Sequence, residues 1–292
     1  MRAKMENLND VFTKQYFTKL EALCLNMKQK LGVDGYNGAR KAKAQGNSLE
    51  FSDYREYAMG DDLRRIDWNS YARFEKLYMK VFLEEKQATI NLFLDSSNSM
   101  SESKKALYSK ALMASIAYVA LKNMDKVNLY CWGDGLQQKK LNTQSYHRFA
   151  EVIQFLNQIQ QNGQTSFTKT IKECAALHLG RGVSFVFSDL LTEDNWKEAI
   201  KLLQYQKQEV VLVWVLSRED IFPEQRGSIR LVDKETSEAR DLELTEQMLK
   251  DYQKAVESYE VEIKEFCKKR GIVFVKAVND MPLLKVLHTI LK

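Results

Sequence analysis

The chain has 292 residues, 45% of them apolar and 28% charged, with a formal net charge of +5. That is enough apolar material for one large domain or two modest ones. No stretch reaches the roughly 18 apolar residues that span a bilayer, and no apolar leader opens the chain, so a cytoplasmic protein is expected. The lysines and arginines are scattered among acids rather than gathered in a stripe, which argues against a nucleic-acid surface.

Cys24, Cys131, Cys174 and Cys267 lie far apart, with no metal-ligand or redox spacing. They read as buried or half-buried thiols of a reducing compartment. Residues 5–31 carry Leu8, Val11, Phe12, Phe17, Leu20, Leu23 and Met27 on one helical face, and Gly32 supplies a stop. Residues 32–48 read as a Gly-, Ala- and Lys-rich loop. The loop lacks the phosphate-binding Gly-Lys-Ser/Thr pattern, and its basic cluster Arg40-Lys41-x-Lys43 reads as a solvated stretch.

Residues 49–86 interleave acids, arginines and aromatics: Arg55, Tyr57, Asp61, Asp62, Arg64, Asp67, Trp68, Tyr71 and Arg73. Such a mixture forms a structural collar of bidentate Arg–Asp pairs or a partner-docking surface anchored by Trp, Tyr and Arg. Leu77 to Phe82 reads as a strand with Lys80 facing out. These features set residues 1–86, a helical and β extension, apart from residues 87–292.

From residue 88 the rhythm is strand, helix, strand, helix. Strand Ile90–Leu94 leads to a helix at 103–123 that is apolar on most sides and therefore needs covering elements. Val127–Trp132 is the next strand, Gly133-Asp134-Gly135 a hairpin turn, and Lys139–Leu141 a short return strand. Helices at 146–160 and 167–178 flank a loop through Gly163-Gln164-Thr165. The apolar strand Val183–Phe187, a helix at 193–206 and strand Val210–Leu216 repeat the unit. Residues 217–244 break it with a small antiparallel excursion, Ser228–Val232 against Ala239–Leu244. A charged helix at 245–269, strand Ile272–Val275 and a helix at 280–291 close the chain. Alternation of this kind predicts a doubly wound, mostly parallel α/β sheet with helices on both faces.

In sheets of this type ligands sit beyond the carboxyl ends of the strands. The strand at 90–94 ends in Asp95-Ser96-Ser97-Asn98-Ser99, and the strand at 183–187 in Ser188-Asp189. Alternate residues of an extended segment point the same way, so Asp95, Ser97 and Ser99 bring one acid and two hydroxyls together. Those are ligands for a hard cation. Taken singly they also read as a polar turn capping the next helix.

Asp95-x-Ser97-x-Ser99, the loop threonine Thr165 and the strand-end Asp189 resemble the metal-ion-dependent adhesion site of von Willebrand factor A domains. The resemblance implies a Rossmann-like fold and Mg²⁺, Mn²⁺ or Ca²⁺ held by Asp95, Ser97, Ser99, Thr165 and Asp189. The upstream run Glu50-Phe51, Arg55-x-Tyr57, Gly60-Asp61-Asp62, Ile66-Asp67-Trp68 and Ala72-Arg73 is similar to the bacterial domain-of-unknown-function family 58, over about residues 35–215. That family carries an A-type domain and is encoded beside MoxR-type AAA+ ATPases. The resemblance therefore implies a non-enzymatic interaction module that binds a divalent cation, recruits an acidic partner, and works with a MoxR-type ATPase on a client protein.

A Mg²⁺-dependent hydrolase using the same carboxylates is the alternative. It is disfavoured because no general base and no phosphate-clamping Lys or Arg stands in the predicted site loops. His147, His178 and His288 fall in separate helices, and no nucleophile elbow or dinucleotide fingerprint is present.

Overall fold

The structure is a computed structural model that describes residues 7–33, 50–83, 88–101, 104–160, 166–175, 179–192, 194–223, 227–232 and 239–291. Contacts divide the chain into two units, Leu31–Gln87 and Met1–Lys30 together with Ala88–Lys292. Two helices, α1 (Leu8–Val11) and α2 (Lys14–Val33), stand where one helix over 5–31 is predicted. Thr13 makes the break: its hydroxyl accepts the Tyr16 N–H at 3.3 Å and starts α2 afresh. Sequence reading groups these helices with residues up to 86. Leu8, Val11 and Leu20 instead bury into the core of the larger unit.

In the smaller unit β1 (Glu50–Glu56) pairs antiparallel with β2 (Tyr78–Leu83). The chain between them forms α3 (Trp68–Phe74), which Glu75 ends in a left-handed conformation. Ile66 and Met79 are buried and bridge backbone to backbone.

The larger unit continues with β3 (Thr89–Asp95), α4 (Lys105–Lys122), β4 (Lys126–Gly133), β5 (Gly135–Thr143), α5 (Phe149–Gln158), α6 (Phe167–Ala175), β6 (Gly182–Ser188), α7 (Trp196–Tyr205) and β7 (Gln208–Leu216). It closes with α8 (Arg218–Ile221), β8 (Gly227–Val232), β9 (Ala239–Leu244), α9 (Glu246–Arg270), β10 (Val273–Val278) and α10 (Leu283–Ile290). The predicted short return strand is the nine-residue β5. The predicted excursion is the antiparallel pair β8–β9.

Six strands form one sheet in the order β10-β7-β6-β3-β4-β5. All neighbours are parallel except β4 and β5. This is the predicted doubly wound, mostly parallel α/β class. Period-two alternation splits each strand between two cores. Leu92, Leu94, Leu129 and Val213 face α4, α5 and α10 on one side. Phe93, Trp132, Val186 and Trp214 face α6, α7 and α9 on the other. As its composition demands, α4 is buried on nearly all sides.

One buried polar row crosses the second face near the start of the strands. Asn91 donates to Gln208 Oε1 at 2.9 Å and accepts from Asn128 Nδ2 at 2.9 Å. Ser184 donates to the same Gln208 oxygen at 2.9 Å, and the Asn142 N–H donates to Asn128 Oδ1 at 2.8 Å. Five strands are tied laterally by side chains in addition to their backbone ladder.

All four cysteines are buried thiols. Burial pushes the Cys131 and Cys267 thiols up to about 11 and that of Cys174 up to about 12, so they stay protonated and unreactive at neutral pH. Among the described residues no helix is long and apolar enough to cross a membrane.

Candidate metal centre

The sheet order reverses direction between β3 and β6: from β3 the chain winds to β4 on one side, and from β6 to β7 and β10 on the other. A crevice opens beyond the carboxyl ends of the strands at such a switch point. Asp95 ends β3 and Asp189 follows directly on β6, so the two acids flank that crevice. Both are buried, at 2% and 1% exposure.

Local hydrogen bonds fix each carboxylate. Asp95 Oδ1 accepts the Ser97 N–H at 3.0 Å, and Oδ2 accepts the Ser188 hydroxyl at 2.6 Å. The Ser97 and Ser99 hydroxyl oxygens lie 2.9 Å apart, Ser97 buried and Ser99 half-buried. Asp189 Oδ1 accepts the Leu191 N–H at 3.2 Å. Its carbonyl accepts the Trp214 indole N–H at 2.7 Å. The loop beyond it turns through Leu190, a buried non-glycine residue at φ 56°. That conformation is held by Ser188 Oγ on the Leu190 N–H at 2.9 Å and by the Tyr259 hydroxyl on the Leu190 carbonyl at 3.0 Å.

Thr165, with Gly163 and Gln164, lies outside the described residues, as does His178. His147 and His288 are exposed in separate elements of the larger unit.

Two residues at the site escape the sequence reading. Lys105, the first residue of α4, is 1% exposed. Its ammonium sits 2.9 Å from Asp189 Oδ2 and 3.0 Å from Asp220 Oδ2. The predicted site loops hold no phosphate-clamping Lys or Arg, and this lysine comes instead from the helix that follows the first of them. The signal was a lysine at a helix N-terminus, where the helix dipole disfavours a cation. Asp220 belongs to the Ser217-x-x-Asp220 capping box just past β7, a third strand end.

Burial pushes the Asp95 carboxyl up to about 7, the Asp189 charge adds to the rise, and hydrogen bonds from Ser188 and Ser97 oppose it. Burial alone would lower the Lys105 ammonium, but Asp189 and Asp220 outweigh it and hold the group above its ordinary value. Asp189 and Asp220 thus face one ammonium, and Asp95, on the neighbouring strand end, keeps its proton up to about neutral pH. The ligand atoms are all oxygen, and each carboxylate oxygen of Asp95 and Asp189 has a second lone pair beyond the bond it already accepts. Once Asp95 gives up its proton, three acids against one ammonium leave an excess of negative charge, and hard oxygen ligands with such an excess suit a divalent cation. Among the described residues no cluster of three or more His, Cys, Asp or Glu has metal-holding spacing, so the fit rests on two carboxylates with hydroxyls and water.

A pH dependence follows for the metal-free chain. The Asp95 pKa is raised on folding, so the folded state binds the proton more tightly than the unfolded chain. Stability in EDTA should fall as pH rises from about 4 to about 8. Denaturant midpoints across that range check it, and Asp95→Asn should flatten the slope.

In the smaller unit the arginines form local pairs. Arg55 clasps Asp61 through two bonds of 2.7 and 2.6 Å, and the bond from Arg55 holds the Asp61 carboxyl below its ordinary value. Arg64 clasps Asp62 at 3.0 Å through both Nε and a terminal nitrogen. Asp67 is buried, accepts the Ser70 hydroxyl at 2.7 Å and faces Lys80 at 3.4 Å. Lys80, expected to face out, is thereby tied to that carboxylate. The Tyr57 ring is half-buried and its N–H bonds the Leu77 carbonyl. Arg73 is exposed, and Trp68 and Tyr71 meet edge to face with 60% and 44% exposure.

Residues 53–262 match the family described as Protein of unknown function DUF58. An uncharacterized protein of Mycobacterium tuberculosis is 23% identical over 262 residues, covering 87% of this chain and 82% of that one. Two solved structures are similar to the chain at a low level. The conserved hypothetical protein BatB from Bacteroides thetaiotaomicron has a TM-score of 0.44 at 18% identity, covering 70% of this chain and 97% of that one. Proximal thread matrix protein 1 from the mussel byssus, in a structure with a zinc-occupied MIDAS motif, has a TM-score of 0.40 at 12% identity, covering 70% and 45%.

Proposed function

The chain belongs to the DUF58 family, and from that premise we propose that it is a non-enzymatic interaction module that binds a divalent cation and recruits an acidic partner. The observation that carries this reading is the pair of buried carboxylates, Asp95 and Asp189, on either side of the switch point of the sheet. Asp95, Ser97, Ser99 and Asp189 would hold the ion, with Thr165 completing the set. Mg²⁺ is the ion proposed, with Mn²⁺ or Ca²⁺ able to replace it at oxygen donors. When bound, the cation supplies a coordination position that a carboxylate of another protein can fill. Asp95 and Asp189 supply the charge, and the neutral hydroxyls of Ser97 and Ser99 orient the ion without neutralising it. A MoxR-type AAA+ ATPase is the co-worker proposed, acting with this chain on a client protein in a cytoplasmic setting. The resemblance of residues 50–73 supports that partner, and Arg55, Tyr57, Asp61, Asp62, Arg64, Asp67, Trp68 and Arg73 form its proposed contact surface.

A Mg²⁺-dependent hydrolase is the second reading, and Lys105 beside the carboxylates is the observation that favours it. The adaptor reading stands ahead because that ammonium is buried and already bridges Asp189 and Asp220.

Calorimetric titration with Mg²⁺ and Mn²⁺ tests the cation site. The wild type should release or absorb heat and gain thermal stability, and Asp95→Asn should lose both responses while unfolding cooperatively in EDTA. Equal responses in the two proteins would remove Asp95 from the site. Affinity capture from a lysate, with and without EDTA, should then show partners that leave with the metal.

A further inference from the structure

Lys105 is a buried cation in an awkward place. It begins α4, where the helix dipole repels positive charge, and Lys104 before it is left-handed at φ 66°. Helix formation does not call for a lysine here. Its stem is fully buried, and its ammonium is spent on two carboxylates from two different strand ends. Breaking such a pair leaves an uncompensated buried charge, so the lysine and the acids are held to one another.

We infer that Lys105 is a resident counter-ion that shares Asp189 with the divalent-cation site and holds the affinity of that site down. The inference rests on the cation-site reading above. Asp189 offers two oxygens, and Lys105 occupies Oδ2. An ion drawn to Asp95 and Asp189 meets an ammonium a few ångströms away. Repulsion between a dication and an ammonium at that range, even with an effective dielectric of about 20, exceeds what a tenfold change in affinity requires. Asp220 works in the opposite sense: it draws part of the ammonium's interaction away from Asp189 and adds negative charge to the cluster. The pair Lys105–Asp220 therefore sets how much of Asp189 an incoming cation can use.

Two substitutions with opposite expected signs test this. Lys105→Met removes the ammonium and keeps the apolar stem; Mg²⁺ or Mn²⁺ should bind about tenfold tighter or more. Asp220→Asn keeps an oxygen acceptor for the Ser217 N–H, which Asp220 now receives at 2.8 Å. It leaves Asp189 as the one charged partner shown for Lys105, and the cation should bind several-fold weaker. Lys105→Arg retains the charge and should stay near wild type. Titration calorimetry on the full chain gives the affinities, and thermal unfolding in EDTA shows that each variant is folded.

Tighter binding in Lys105→Met with weaker binding in Asp220→Asn establishes the role; so does binding in Lys105→Met where the wild type gives no heat. Unchanged or weaker binding in a folded Lys105→Met, beside a responsive wild type, overturns the inference and leaves the cation site standing. If Lys105→Met does not fold, Asp220→Asn decides: weaker binding supports the inference, and unchanged or tighter binding overturns it. Silence in all four proteins ends both the site and the inference.

Discussion

Asn91→Ala is expected to destabilise the larger unit by about 3 kcal/mol or more, from a lost buried hydrogen-bond network plus a small cavity. Asn91 lies in the middle strand region with 0% exposure and is the central link of the polar row across the sheet. Truncation removes the donor to Gln208 and leaves the Asn128 amide, also buried, without its acceptor. An orphaned buried donor loses its full desolvation energy, because no water replaces the partner. Asn91→Leu fills the space but leaves the same amide unpaired, so it should recover only part of the loss. Denaturant unfolding of the three proteins measures this; a midpoint for Asn91→Ala within error of wild type would mean that the row carries no stability.

The second large effect is steric. Gly182→Ala, at the first residue of β6, would put its Cβ 2.1 Å from the Thr89 carbonyl oxygen and 3.1 Å from the Thr89 Cβ. The obstruction is the backbone of β3, which cannot swing aside as a side-chain tip can. Strands β3 and β6 would have to separate at the start of their pairing, at an expected loss of about 3 kcal/mol or more. The substitution should also act at a distance on the proposed cation site, since β3 and β6 carry Asp95 and Asp189 at their other ends. A melting temperature lowered by roughly 10 °C, with weakened Mg²⁺ binding in the fraction that folds, is the expected result. Wild-type stability in Gly182→Ala would show that the two strands approach less closely than 2.1 Å implies.

Amino-acid order by itself determined the alternation of strands and helices from residue 88 onward. Apolar runs such as Ile90–Leu94 and Val183–Phe187 are buried on both faces in any parallel arrangement, and small polar residues at their ends mark the edge where ligands bind. Asp95 and Asp189 were legible for that reason: a strand end is a local feature, and an acid directly after it is visible in the string. The break between α1 and α2 was less so, because one hydroxyl, that of Thr13, reset a periodicity that runs on without interruption.

Tertiary structure alone decided which strand ends meet. The order β10-β7-β6-β3-β4-β5 makes β3 and β6 neighbours, although nearly ninety residues separate them in the chain. It also decided the partners of Lys105, which are 84 residues away at Asp189 and further still at Asp220. No periodicity encodes that contact, since a lysine at a helix start reads as solvated until its carboxylates close around it. Asn91 shows the same division. It is the one polar residue of the run Ile90–Leu94, and only the sheet supplied Gln208 and Asn128 to satisfy it. Local sequence fixes what each element is, because backbone propensity and side-chain period act over a few residues. Charge pairing and buried hydrogen bonds act through space, and only the folded chain brings their members together.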